Sequence, residues 1–224
     1  GGGYSKTILE KFNVNYLLAI DRDPISKIFA KDIESKFTNF ILINDNFSKI
    51  EEIVKQTKLK DKKFEIILFD LGTSSNQIDN AERGFSFKKS GPLDMRMGIS
   101  DKNAYDIINK YEEKNLANII YKYGEERFSR NIAKGIVKNR KIKFINDTLE
   151  LSNIIKKSLP IKNQSKNKMH PATKTFQAIR IYVNDELIEL ENCLKKTLKI
   201  LNKDGLILVV SFQSLEDRIV KDLF

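Results

Sequence analysis

The sequence has almost none of the residues that build disulfides and metal sites. Its 224 residues include one cysteine, Cys193, and one histidine, His170. One cysteine excludes an internal disulfide, and one cysteine with one histidine argues against a zinc site, so we expect no metal. Cys193 lies between Asn192 and Leu194 and is expected to be a small buried core residue. The absence of disulfides fits a reducing compartment.

Long apolar runs are missing as well. No run approaches the roughly 18 apolar residues that a membrane span needs, so we expect no membrane partner. Hydrophobic residues nevertheless make up 41% of the chain. A chain of this length can therefore bury a core of its own, in one domain or in two smaller ones. We expect a globular and soluble protein.

The net charge of +10 is unevenly spread along the chain. Residues 77–168 contain 20 Lys+Arg and 11 Asp+Glu, whereas the remainder contains 20 and 19. Two interpretations of this basic middle stay open. It is either a lysine-rich solvated surface or a face that binds the phosphates of a nucleic acid.

Apolar runs alternate with segments of helical period in the first part of the chain. Strands are predicted at residues 16–20, 40–43 and 64–70, and near the end at 207–211. Such alternation is typical of βαβ units and a parallel sheet in an α/β protein. We expect Asp21, Asn44 and Asp70 side by side at the carboxyl edge of one sheet, where α/β proteins bind ligands. The apolar run before Asp70 predicts a strand buried on both faces.

The later part of the chain has mainly helical period. Residues 101–159 predict several helices, 161–168 a polar loop and 173–201 one long helix. Ser214 is the expected N-cap of a final helix.

Two domains follow from these patterns. The first is discontinuous, residues 1–76 and 169–224, and is expected to be the α/β domain. The second, residues 77–168, is expected to be an inserted basic helical domain.

The start of the chain has the layout of a nucleotide site. A glycine turn precedes a helix and a strand, and Asp21 follows about 20 positions on, where a carboxylate accepts hydrogen bonds from ribose hydroxyls. The GxGxxG motif is absent. This layout alone is therefore weak evidence for a nucleotide ligand.

Four long segments carry a more specific signal. They are DLGTSSNQIDNAERGFSFKKSGPLDMRM, YGEERFSRNIAKGIV, HPATKTFQAIRIYVNDEL and VVSFQSLEDRIVK. In this order they resemble the RsmH (MraW) family of bacterial methyltransferases. The resemblance implies a Rossmann-like class I S-adenosylmethionine-dependent methyltransferase fold with an inserted helical domain, in a chain truncated at both ends. It also implies methylation of N4 of a cytosine in 16S ribosomal RNA, with the small ribosomal subunit as partner, in the bacterial cytoplasm.

The resemblance carries a cofactor site onto particular positions. The residues that match contacts to S-adenosyl-L-methionine are Gly2, Gly3, Tyr4, Asp21, Phe47, Asp70 and Gln77. Two positions depart from the family, which usually has histidine where Tyr4 and Gln213 stand. Gln213 retains hydrogen-bonding capacity but cannot titrate.

Catalytic and RNA-contacting residues are less well defined. The catalytic candidates are Asp70, Ser74 and Gln213, and the candidates for substrate contacts are Phe85, Phe87, Arg83, Arg96, Arg127 and His170. The phenylalanines either stack on a splayed base or anchor a loop in the core. The arginines either bind phosphate or pair with Asp79, Asp94 and Glu126. The histidine is expected to cap or anchor the following helix.

Two rival functions remain open beside a cytosine-N4 methyltransferase. One is a catalytically weak RNA-binding protein that retains the fold. The other is a dinucleotide-dependent oxidoreductase, against which the missing GxGxxG motif and the helical insertion speak. The oligomeric state is open between a monomer and a homodimer.

Overall fold

The computed structural model describes residues 2–160 and 169–224, so the predicted loop at 161–168 lies outside the described residues. The chain divides into two compact units. Residues up to Gly72 together with 186–224 form one, named the flanking unit. Residues 73–185 form the other, named the helical unit.

The described part of the chain contains four strands and eleven α-helices. In chain order they are α1 Gly3–Lys11, β1 Leu17–Ile20, α2 Ser26–Glu34, β2 Phe40–Ile43, α3 Ile50–Lys55, β3 Phe64–Asp70, α4 Ser75–Asp79, α5 Ala104–Lys110, α6 Glu113–Gly124, α7 Ser129–Arg140, α8 Thr148–Ser158, α9 Thr173–Asn184, α10 Glu186–Ile200, β4 Leu201–Val210 and α11 Ser214–Leu223. The α/β class predicted from the alternating pattern is confirmed.

The strands pair in parallel, but they form two sheets. β1 pairs with β2, with Leu17 opposite Phe40, and β3 pairs with β4, with Ile66 opposite Leu206. The expectation of one continuous sheet is therefore wrong for the described residues. An alternating pattern predicts parallel strands joined by helices, but it does not say which edges become neighbours.

The prediction that β3 is buried on both faces is also wrong. Ile67 and Phe69 are buried in a cluster with Cys193, which confirms the core position expected for that cysteine. On the opposite face, Ile66 and its partner Leu206 are each 58% exposed. Helix α10 packs against the face that carries Ile67 and Phe69. An uninterrupted apolar run therefore does not guarantee that both faces of a strand are covered.

The helical unit has the larger core, and residues from α5 to α9 contribute to it. A buried amide helps to close it. The Asn109 side chain donates to the Ile145 carbonyl (2.8 Å) and accepts from the Ile145 amide (2.9 Å). This pair joins α5 to the segment before α8, so the chain between the helices is held by hydrogen bonds as well as by apolar contacts.

The predicted single helix over 173–201 is wrong, because it is two helices separated at Asp185. That residue has a left-handed φ of 50°, which ends α9. The Asn184 side chain accepts from the Met97 amide and donates to the Met95 carbonyl, both at 2.8 Å. Lys102 pairs with the Asp185 carboxylate (2.5 Å).

These contacts hold the end of α9 against the loop that precedes α5. Phe176 and Ile179 of α9 lie in the core of the helical unit. By packing, the helical unit therefore extends to Asp185, whereas the sequence pattern placed the end of the insertion at residue 168.

Candidate active site

The glycine turn before α1 has a backbone that favours glycine. Gly2 has a φ of 76°, in the left-handed region, and an added Cβ would lie 3.1 Å from the Ile33 side chain. A Cβ at Gly3 would meet nothing within 4 Å. The space beside Gly3 and the amides of the first turn of α1 therefore suit a ligand that approaches the backbone closely. Tyr4 follows, with its side chain half exposed.

Asp21 follows β1, at the carboxyl end of the first sheet. Its Oδ1 accepts a hydrogen bond from the Asp23 amide (2.8 Å), and its carbonyl accepts from the Asn44 side chain (2.7 Å). Burial raises the pKa of Asp21 above its ordinary value, and the nearby Asp23 carboxylate acts in the same direction. The Asn44 contact joins the ends of β1 and β2, so these two predicted positions do lie together.

Phe47 lies in the turn after β2 and is half buried. Its ring meets the Phe69 ring edge-on, with 6.2 Å between centroids. Its carbonyl accepts from the Cys193 thiol (3.0 Å). Burial raises the pKa of that thiol to about 12, so Cys193 stays a neutral hydrogen-bond donor. The core thus fixes one side of Phe47, while part of the residue remains accessible.

Asp70 ends β3 and is exposed. Partial burial of its carboxylate raises the pKa of Asp70 above the ordinary value. The chain then turns at Gly72, whose φ of +90° is in the left-handed region. The turn places Gly72 beside Phe212, because an added Cβ would lie 3.4 Å from that ring.

Gln213 is held by a buried carboxylate that sequence reasoning missed. Its Nε2 donates to Glu216 Oε1 (2.8 Å), and the Phe212 amide donates to Glu216 Oε2 (3.1 Å). Glu216 is only 3% exposed. The prediction of Ser214 as N-cap is wrong by one residue, since Gln213 has the extended cap conformation and Ser214 begins α11. The spacing of Gln213 and Glu216, that of a capping box, was the available signal.

Ser74 and Gln77 lie together at the start of α4 in the helical unit. The Ser74 amide donates to Gln77 Oε1 (3.0 Å), and the Gln77 amide donates to Ser74 Oγ (3.4 Å). This reciprocal pair is a capping box. Both side chains thus have a local structural task, and their roles in catalysis and cofactor binding stay predictions.

Phe85 and Phe87 favour the anchoring interpretation. Phe85 is buried in the core of the helical unit, and Phe87 packs against it. The Phe87 ring stacks on the His170 ring, with 4.5 Å between centroids and 10° between planes. His170 Nδ1 accepts from the Ala172 amide (3.2 Å), next to the start of α9. Burial, with Lys156 and Lys88 nearby, lowers the pKa of His170, so the neutral ring suits this accepting role.

The three arginines have different surroundings. Arg96 pairs with Asp94 (2.6 Å), which confirms that alternative for this residue. Arg83 donates to the Arg96 carbonyl (2.9 Å). Arg127 is exposed and lies over the Phe128 ring (4.9 Å). Arg127 is therefore accessible to a phosphate.

Two further features concern metals and membranes. Within residues 2–160 and 169–224, no three His, Cys, Asp or Glu side chains are grouped as a metal site would require. No helix in these ranges combines the length and apolar character that crossing a bilayer demands.

Comparison with known proteins identifies the family of the chain. The model of the MraW methylase family matches residues 1–224. The chain is 53% identical to Ribosomal RNA small subunit methyltransferase H of Rickettsia canadensis, over 100% of this chain and 70% of the relative. It is 52% identical to the protein of the same name in Rickettsia africae, with the same coverage. The protein of that name in Buchnera aphidicola is 50% identical over 98% of this chain and 69% of its own length. The family predicted from the four segments is confirmed: this chain belongs to the MraW methylase family and is a methyltransferase.

Proposed function

We propose that the protein methylates the N4 amine of a cytosine in 16S ribosomal RNA, using S-adenosylmethionine, in the bacterial cytoplasm. The observation that carries the proposal is the identity of about half of all residues, over the whole chain, to proteins named Ribosomal RNA small subunit methyltransferase H. The geometry of the flanking unit supports it, because the glycine turn and Asp21 suit a nucleoside cofactor.

The residues present fit S-adenosylmethionine. The open space beside Gly3 admits a ligand against the backbone. Asp21 Oδ1 is engaged by the Asp23 amide, which leaves Oδ2 to accept from ribose hydroxyls. The accessible part of Phe47 offers an aromatic surface for the adenine. When bound, the cofactor supplies a methyl group attached to a positively charged sulfur.

Asp70 is the residue best suited to receive the proton that the cytosine amine must lose. The N4 lone pair is delocalised into the ring, so an acceptor on an N4–H favours attack. The raised pKa of the Asp70 carboxylate makes it a better acceptor than an ordinary aspartate. Since Asp70 is exposed, the proton can pass on to water. Gln213, which does not titrate, orients neighbouring groups through its bond to Glu216.

Two measurements test the proposal. Calorimetric titration should show binding of S-adenosylmethionine and S-adenosylhomocysteine and no binding of NAD. Incubation with a small-subunit RNA fragment, followed by nuclease digestion and mass spectrometry, should reveal N4-methylcytidine. Binding of NAD alone would contradict the proposal. Binding of RNA and cofactor without methyl transfer would favour a catalytically inactive RNA-binding protein.

A further inference from the structure

A tyrosine-lined depression lies in the helical unit, and none of the candidate site residues lines it. Its volume is about 260 Å³. Tyr111 follows α5, Tyr123 lies near the end of α6, and Tyr182 belongs to α9. Three segments that are distant in sequence therefore bring three phenol rings to one cavity, which is named the tyrosine pocket.

The rings of the tyrosine pocket hold one another in place. The Tyr182 centroid lies 5.9 Å from both the Tyr111 and the Tyr123 centroid, at interplanar angles of 86° and 46°. A hydrogen bond with Tyr182 raises the pKa of Tyr111 to about 12. All three residues are half buried. Rings packed in this way are fixed in position, so the wall of the pocket is ordered before a ligand arrives.

The rim of the tyrosine pocket is polar and basic. Asn115, Asn118 and Lys122 contribute to its lining, and their spacing on α6 places them on one face of that helix. Both asparagines are exposed, and an amide offers donors and an acceptor together. The Lys122 ammonium lies 5.1 Å from the Tyr123 ring centroid. Ile119, which is buried, completes the apolar part of the lining.

This combination matches a nucleotide in shape and charge. A base has an aromatic face for the tyrosines, a hydrogen-bonding edge for the amides and a phosphate for the lysine. The volume is below the roughly 300–1,000 Å³ of ordinary small-molecule pockets, so it suits one planar group of a larger ligand. The helical unit supplies the complementary charge, with 22 Lys+Arg against 12 Asp+Glu.

We propose that the tyrosine pocket is a subsite for one unstacked base of single-stranded RNA, with an adjacent phosphate at Lys122. The inference rests on the proposed function, because it names a place where an RNA substrate is held. It differs from the alternative drawn from the sequence in which Phe85 or Phe87 stacks on a splayed base. Phe85 is buried and Phe87 is stacked on His170. The three tyrosines also pack against the core, but they line a cavity.

Affinity for a short, unstructured, fluorescein-labelled oligoribonucleotide tests the inference by fluorescence anisotropy. Tyr123→Leu retains apolar bulk but removes the stacking surface. It should bind about 10-fold more weakly, since stacking of a base on an aromatic side chain contributes about 1–3 kcal/mol. The matched control is Tyr121→Leu, on the same helix, where the side chain is 64% exposed and outside the pocket. Its affinity should equal that of the unaltered protein.

A second pair of variants leaves the buried side chains unchanged. Asn118→Ala combined with Lys122→Ala changes only exposed positions of α6. This double variant should bind the oligoribonucleotide several-fold more weakly and with a shallower dependence on salt, because the lysine no longer neutralises a phosphate. Lys114→Ala, also exposed on α6 and outside the pocket, is the control. Thermal unfolding identifies any variant that has lost its fold.

Equal RNA affinity in the pocket variants and their controls would overturn the inference. A pocket that binds a protein partner and not RNA would give this equal affinity. Methyl transfer is measured separately on the same proteins. If the unaltered protein methylates RNA and Tyr123→Leu has the same KM for RNA, the inference fails while the proposed function stands. If the unaltered protein does not methylate RNA but its RNA binding falls in the pocket variants, the proposed function fails while the inference stands.

Discussion

The two units of the chain differ in charge. The helical unit contains 22 Lys+Arg and 12 Asp+Glu, whereas the flanking unit contains 18 of each. The whole net charge of +10 therefore belongs to the helical unit. A neutral flanking unit suits a cofactor that needs hydrogen bonds to particular atoms. A basic helical unit suits a polyanion, for which charge raises affinity and the rate of encounter.

The units also differ in how completely they bury apolar side chains. Among the largest fully buried side chains in the described ranges, all but Leu59 belong to the helical unit. The flanking unit leaves Ile66, Leu206 and Leu208 of one sheet face about half exposed. Consecutive helices complete a core through contacts that are near in sequence. A sheet buries both faces only when other elements cover them. Five predictions test these differences in charge, packing and site chemistry, in order of decreasing expected effect.

Removing a buried side chain should cost far more in the helical unit than in the open sheet face. Ile120 is fully buried in α6, and Ile120→Ala should lower the free energy of unfolding by about 4 kcal/mol, because a cavity remains. Ile66→Ala, at an exposed strand position, should lower it by about 1 kcal/mol or less. Urea unfolding measures both, and equal losses would contradict the contrast in packing.

The buried amide at the end of α9 should be the next most sensitive position. Asn184→Ala leaves the Met97 amide and the Met95 carbonyl without their side-chain partner. The free energy of unfolding should fall by about 3 kcal/mol, since each unsatisfied buried group costs about 1–3 kcal/mol. Asn192→Ala, exposed on α10, should change it by less than about 0.5 kcal/mol. A small loss at Asn184 would mean that water replaces its hydrogen bonds.

Asp21→Asn should weaken cofactor binding and stabilise the fold. Calorimetry should show S-adenosylmethionine affinity reduced by about 1.5 kcal/mol or more, because the charged carboxylate no longer accepts hydrogen bonds. Burial holds the pKa of Asp21 above 3.8, so the folded state binds the proton more tightly than the unfolded state. Stability therefore falls as pH rises from 3.8 through the raised value.

The variant lacks that loss of stability, so it should unfold less readily than the unaltered protein at neutral pH. The difference should vanish in acid. Unaltered cofactor affinity in a folded Asp21→Asn protein would reject the ribose assignment, whatever the stability shows.

Neutralising lysines should weaken RNA binding only when the lysines belong to the helical unit. Lys134→Gln with Lys138→Gln, both exposed on α7, should weaken binding of a single-stranded RNA at low salt several-fold. The salt slope should fall by about 0.7 for each phosphate that is no longer neutralised. Lys27→Gln with Lys31→Gln, exposed on α2 of the flanking unit, is the matched control. Equal effects of the two pairs would mean that the basic surface acts only through overall charge.

The smallest effect is expected at Gln213. Gln213→His should change the turnover of an active preparation little, because methyl transfer to nitrogen needs an acceptor and correct positioning more than a strong base. If histidine acted there as a general base, the rate would rise by about 100-fold or more and acquire a pH dependence near neutrality. Single-turnover rates measured against pH distinguish the two outcomes.

Several local features could be predicted because their causes are local. The strand at 40–43 and the strand at 64–70 coincide with β2 and β3. The four helices from α5 to α8 lie within the predicted 101–159 segment. In each case the spacing of apolar residues along a few turns or a few strand residues is sufficient to choose the element. The four family segments are also read directly from the sequence, so they were sufficient to assign the family.

Interactions between distant segments could not be predicted in this way. The end of α9 depends on the hydrogen bonds and ion pair of Asn184 and Asp185 with the loop before α5. The role of Gln213 depends on Glu216 being buried. The tyrosine pocket needs three segments to fold together before its residues become neighbours.

Local patterns in the sequence were enough to establish the class of fold, the family, the position of most elements and the concentration of charge in the middle of the chain. Which strands pair, which sheet face stays exposed and which aromatic rings remain available to a ligand became evident only in the folded chain. Periodicity and composition are properties of neighbouring residues, whereas strand pairing and burial depend on contacts between residues far apart in the chain, whose partners a periodic pattern does not specify.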